Sequence, residues 1–172
     1  LEQLTKKRAS LEQQIMQVTS AKQLDAVKAQ QAAVEEKIEA AAACSRFMNV
    51  LNGTGACLFG ALLGVERLPL FEWLNAATGW RRSPVDYMAI GERIQTLKQA
   101  FNIRHGVEPK SFKANPRTLG IPPQTKGANA GRSVAVESMM RAYWQHFGWD
   151  PATGRPGEAV LKRWGIKTTL NG

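Results

Sequence analysis

Segment after segment of this chain places apolar residues three and four positions apart, and a glycine or a proline borders most of these segments. That period matches a helix face turned toward a core, whereas a half-buried strand needs strict alternation. No sustained alternating run of β-branched residues occurs. The expected class is therefore all-α, an irregular bundle of short helices with a long N-terminal helical hairpin or coiled-coil projection.

Residues 1–43 contain neither Gly nor Pro and carry two apolar runs. The first is Leu1, Leu4, Leu11, Ile15 and Val18, and the second is Leu24, Val27, Val34, Ile38 and Ala41. The six-residue step from Val18 to Leu24 breaks the repeat, and Thr19-Ser20 offers a cap for a new helix. This predicts an antiparallel hairpin over 1–43, with a single stuttered coiled-coil helix as the alternative, followed by a helical domain over 44–172. In the second part Asn52-Gly53-Thr54-Gly55 interrupts a helix, and Pro69 opens a short helix that stops at Gly79. Ser83, Pro84 and Asp86 start the next one, whose stripe Tyr87, Ile90, Ile94, Leu97 and Phe101 ends at Gly106. Residues 107–131 hold four prolines and read as a long ordered loop, Ser133 is expected to cap the helix carrying Met140, Tyr143 and Trp144, and Pro156 opens a last short helix.

Charge narrows the function classes. The net charge of +9 lies entirely in 44–172, where 17 basic residues face 8 acidic ones, while the first 43 residues are neutral. The cations are dispersed, with no run longer than two, and no zinc-finger, RNA-recognition or Walker pattern accompanies them. That spacing argues against nucleic-acid binding and suits contact with a buried anionic cofactor or an acidic partner. The two cysteines, Cys44 and Cys57, exclude a secreted disulfide framework and cannot complete a metal site alone. No stretch approaches the roughly 20 apolar residues of a membrane span, and the expected compartment is cytoplasmic. A start at Leu1 in what reads as running helix suggests a piece of a longer protein.

Hydrolase and zincin motifs are absent from the sequence, and His105 and His146 read as helix-end histidines. Cys57 stands out by its neighbours. It follows Asn52-Gly53-Thr54-Gly55-Ala56, a glycine-rich break that lets backbone approach a bulky ligand and offers amide donors to a thiolate. Residue physics leaves two readings open, a packed cysteine at a helix start and a cluster ligand.

The segment Asn52-Gly53-Thr54-Gly55-Ala56-Cys57-Leu58-Phe59 resembles the D-x-x-G-L-C-x-F stretch of aldehyde ferredoxin oxidoreductases. The similarity continues in order through Leu74-Asn75-Ala76-Ala77-Thr78-Gly79-Trp80, Gly91-Glu92-Arg93-Ile94 and Phe101-Asn102-Ile103-Arg104-His105-Gly106. It finishes at Tyr143-Trp144-Gln145-His146-Phe147-Gly148-Trp149-Asp150 and Thr153-Gly154-Arg155-Pro156. Residues 1–43 lie outside it.

The resemblance implies the C-terminal helical part of an enzyme that interconverts aldehydes and carboxylic acids and passes electrons to ferredoxin or an electron-transfer subunit. It implies two cofactors, a [4Fe-4S] cluster and a tungsten (or molybdenum) bis-pterin, both completed by residues outside this chain. Those residues would come from the N-terminal part of the enzyme or a companion chain. Cys57 corresponds to the cluster's fourth cysteine, and Asn52, Gly55 and Ala56 to pterin-contacting positions, with Asn52 in place of the family's acidic residue. The chain alone would then be inactive. Glu92 and Arg93 are expected to pair with Arg104 or Asp150, and close packing is expected at Gly91. Relatives acting on aromatic acyl-CoA, and a non-catalytic helical interaction module, are the alternatives.

Overall fold

The computed structural model describes residues 2–62 and 68–167 and is helical, with no strand among the described residues. Helix α1 runs from Glu2 to Gly53 without a break. Of the two forms expected for 1–43, the uninterrupted helix is the one found, and the hairpin turn at Thr19-Ser20 is absent. The reason is energetic: Thr and Ser each cost at most about 0.7 kcal/mol in a helix interior, and no Gly or Pro helps them stop it. The chain divides into two units, Leu1–Lys37 and Ile38–Gly172. The second begins earlier than the expected boundary at 44, because Ile38 and Ala42 are already buried.

Within the second unit, α1 is followed by α2 (Leu58–Leu62), α3 (Leu70–Thr78), α4 (Pro84–Arg104), α5 (Val136–His146) and α6 (Glu158–Arg163). Two 3-10 turns, Pro109–Ser111 and Pro116–Leu119, lie in the long loop between α4 and α5. The start of α4 is as the sequence implies. Ser83 Oγ accepts from the Asp86 amide, the Asp86 carboxylate accepts from the Ser83 amide, and Pro84 supplies the first helical φ. The Ser83 hydroxyl also donates to the Asp86 carboxylate at 2.7 Å, and this bond first, then that of the Ser83 amide, holds the Asp86 carboxyl below its ordinary value. The start of α5 differs. The Val134 amide donates to the Leu119 carbonyl at 2.8 Å, which closes the preceding loop, so the helix begins at Val136 behind an Ala135 that offers no side-chain cap. Ser133 is therefore not the cap.

Two apolar clusters form the core. In one, Val50, Leu51, Leu70 and Tyr87 are buried, and the Phe71 ring stacks on Tyr87 at 5.0 Å. The Tyr87 hydroxyl donates to Asn75 Oδ1, and Asn75 also bonds both backbone groups of Arg82, which latches the α3–α4 connection. In the other, Ala42 of α1 packs against Trp144, Phe147 and Trp149.

The face that α4 turns inward is not the whole predicted stripe. Tyr87, Gly91 and Thr96 are buried, whereas Leu97 and Phe101 are 50% and 59% exposed. Gly91 explains the choice, since α1 crosses α4 there so closely that a Cβ would stand 2.1 Å from the Arg46 carbonyl oxygen. The Arg46 guanidinium, next to that contact, meets Glu92 at 2.7 Å and lies over the Phe147 ring. Glu92 thus pairs with Arg46, and at 3.8 Å with Arg163, rather than with Arg104 or Asp150. Arg93 donates to the Trp164 carbonyl. Asp150 instead caps its own turn, accepting from the amides of Ala152 and Thr153 and from the Thr153 hydroxyl. Among the described residues, no helix is long and apolar enough to cross a membrane.

Candidate functional site

Helix α1 ends in a turn built from main-chain bonds. The Ala56 amide donates to the Leu51 carbonyl and the Gly55 amide to the Asn52 carbonyl, with Gly55 at φ 76°. This is a Schellman arrangement, and it needs a glycine at the left-handed position. It also revises the expectation of free amides in the break: those of Thr54, Gly55 and Ala56 are all used inside the turn. Among the described residues, the amides of Cys57 and Leu58 make no backbone bond. The donors available to a thiolate therefore sit at and just after the cysteine.

The turn brings the four residues expected to form the site to solvent together. Asn52, Gly55, Ala56 and Cys57 belong to an uninterrupted exposed run from residue 52 to residue 60, which also contains Phe59 at 71% exposure. The Cys57 thiol is exposed, as is that of Cys44 on α1. The Asn52 side chain makes no hydrogen bond among the described residues, so its amide is available to a ligand. Both its oxygen acceptor and its nitrogen donor are open.

One helical turn earlier the scaffold is firmly held. Asn49 is buried, donates to the Ser45 carbonyl and to Gln95 Oε1, and accepts from Lys98 Nζ at 2.6 Å. A Cβ on Gly53 would rest 3.9 Å from the Ile94 side chain, an ordinary contact. The end of α1 is thus fixed against α4 by a satisfied polar network, and the exposed run projects from that fixed point. Sequence inspection missed Asn49 and Lys98. Their spacing of 49 residues gives no local signal, although Asn inside a helix with poor propensity hints at a tertiary partner.

The residues present fit one ligand position and no more. Cys57 offers a single accessible thiol, and among the described residues no group of three or more His, Cys, Asp or Glu side chains converges to hold a metal. The histidines stay outside the site. His105 is the residue at which α4 ends, its ring 4.3 Å from Phe101, and His146 Nε2 faces Arg46 Nη1 at 3.1 Å. Arginine only donates, so His146 Nε2 is the acceptor in that contact.

Comparison with known proteins bears on this arrangement. The family model described as aldehyde ferredoxin oxidoreductase, domains 2 and 3, matches residues 3–166, so nearly all of the 1–43 segment expected to lie outside the resemblance falls within it. A tungsten-containing aldehyde ferredoxin oxidoreductase of Pyrococcus abyssi is 32% identical over 133 residues, covering 77% of this chain and 22% of the relative. The protein of the same description from Pyrococcus horikoshii is 31% identical over the same length and shares. A third, from Pyrococcus furiosus, is 32% identical over 100 residues, 58% of this chain and 16% of its own. The chain spans about a fifth of the length of the curated relatives it matches. No solved structure matches it.

Proposed function

The chain belongs to the aldehyde ferredoxin oxidoreductase family, and from that premise we propose that it is the helical part of a tungsten–bis-pterin, iron–sulfur oxidoreductase working in the cytoplasm. Cys57 is one thiolate ligand of a [4Fe-4S] cluster whose other ligands lie outside this chain. Asn52, Gly55 and Ala56 form one wall of the pterin pocket, Asn52 by its side-chain amide and the other two by backbone. With both groups bound, an aldehyde and water give a carboxylic acid, two protons and two electrons, which leave singly for ferredoxin or an electron-transfer subunit. The chain without its companion part is inactive.

Each local feature has a task in this reading. Gly55 turns the chain sharply enough to bring Cys57 out beside the end of α1. The amides of Cys57 and Leu58 stabilise anionic sulfur, as N–H donors do around cluster thiolates. The Asn49–Gln95–Lys98 network holds the turn's root, so the thiol is positioned by a rigid helix end rather than a free loop. Asn52 presents a neutral amide where the family has an acid, which preserves an acceptor toward the pterin and adds a donor.

The observation carrying the proposal is the exposed Cys57 thiol at the tip of a main-chain-built turn, in an exposed run rooted on a buried network. The test is anaerobic production of the full-length protein with tungstate, followed by measurement of iron and tungsten. Cys57→Ala is expected to lose cluster iron while the helical fold persists. Full iron occupancy in that variant would sink the assignment.

A further inference from the structure

Away from Cys57, the loop between α4 and α5 and the first turns of α5 enclose an open groove of about 1440 Å³. Its floor is Met140 and the buried Trp144. Three large apolar side chains on its walls face solvent: Phe112 is 65% exposed, Ile121 52% and Val134 44%. The volume exceeds the roughly 300–1,000 Å³ of small-molecule pockets, and the groove is open rather than enclosed, so its natural occupant is a polypeptide segment.

Charge says what kind of segment. Lys110, Lys113 and Arg141 stand on the rim, and the lining holds a single acid, Glu137, which lies 3.9 Å from Arg141. Lys113 has no ion-pair partner among the described residues. The loop from 106 to 135 carries five basic residues and one acid, Glu108, which Arg155 already pairs. A second copy would bring the same positive face, so self-association is opposed by charge. An apolar floor under dispersed cations is also unsuited to following a phosphate backbone.

We propose that this groove seats an acidic segment studded with apolar side chains, supplied by the part of the enzyme outside this sequence. The inference rests on the reading that the chain works with such a companion part. The apolar side chains of the segment cover Phe112, Ile121 and Val134, and its carboxylates meet Lys110 and Lys113.

The test places the photo-reactive residue p-benzoylphenylalanine at position 112 of the full-length enzyme, where the native side chain is aromatic and exposed. Irradiation and peptide mass spectrometry are expected to link it to a net-acidic segment outside residues 1–172. The same residue at position 85, where Val85 is 77% exposed, should not reach that segment. Lys110→Glu with Lys113→Glu should lower the yield at least tenfold at 0.1 M salt, with circular dichroism unchanged. Links confined to 1–172, links to a second copy in mixed isotope-labelled protein, links to co-purified nucleic acid, or no links would each overturn the proposal. Iron content of Cys57→Ala is read separately. Retained iron together with the acidic-segment link defeats only the cluster assignment, and lost iron without that link defeats only the groove.

Discussion

Replacing Gly91 by alanine tests the helix crossing on which the site's scaffold depends. An ideal Cβ there stands 2.1 Å from the Arg46 carbonyl oxygen, 2.7 Å from its carbon and 2.9 Å from its Cα. Comfortable contacts are about 3.5 Å, so α1 and α4 must separate by about 1.4 Å. All three obstructing atoms are backbone, and no side-chain rotation relieves them. Overpacking of this kind costs about 1–3 kcal/mol, and this site belongs at the upper end because the Arg46–Glu92 pair and the Asn49–Gln95 bond straddle the same crossing. Alanine returns about 1 kcal/mol of helix propensity. The net loss is about 2 kcal/mol, which for a unit of this size lowers Tm by about 8 °C. Gly53→Ala is the paired control, since its Cβ meets only Ile94 at 3.9 Å, and it should stabilise by up to about 1 kcal/mol. Thermal unfolding followed by circular dichroism reads both. A Gly91→Ala protein as stable as the parent, or more so, would refute the close crossing.

Two further predictions concern the seam between α1, α4 and α5. Arg46 and Glu92 side chains are only 17% and 14% exposed, so Glu92→Leu alone should cost about 2–3 kcal/mol by leaving the Arg46 cation without its carboxylate, Arg46→Met less because Arg163 still faces Glu92, and the double variant less than Glu92→Leu; urea unfolding of the four proteins checks this, and a double variant worse than both singles contradicts it. Burial raises the Tyr143 phenol above 10.0, against the opposing effects of its bond to Ser45 and of Arg46. Its contribution is complete below the unfolded value near pH 10 and is lost as pH rises through the raised folded value. Tyr143→Phe should cost about 1 kcal/mol at neutral pH by losing the 2.8 Å bond to Ser45, with the gap to the parent narrowing above pH 10, and a constant gap in urea titrations at pH 8 and 10.5 would contradict the reasoning.

What sequence reading recovers here is mostly local. Ser83, Pro84 and Asp86 form a cap within four residues, and the helix stops at Gly79 and Gly106 need only a positive φ at the glycine. The break before Cys57 is legible for the same reason. What fails depends on distant contacts. Leu97 and Phe101 continue a helical stripe in sequence yet stay exposed, because the approach of α1 at Gly91 decides which side of α4 is covered. Ser133 looks like a cap, but the neighbouring Val134 amide is claimed by Leu119, fifteen residues earlier. Glu92 finds its partner in Arg46, 46 residues away, which no charge pattern along α4 reveals. Gly91 lies between the two cases: its cost inside a helix signals a close neighbour, and only the structure says which one.

The turn that ends α1 draws its two capping bonds from the main chain, with Gly55 supplying the reversal. The side chains at 52 and 56 take no part in closing it. Their identities are therefore decoupled from closing the turn. A family built on this turn can exchange an acid for an amide at position 52, or a large side chain for a small one at 56, without renegotiating the helix end. On the proposed cofactor reading the turn is a fixed socket with replaceable contacts, and variation among relatives should concentrate at 52 and 56 while Gly55 and Cys57 stay as they are.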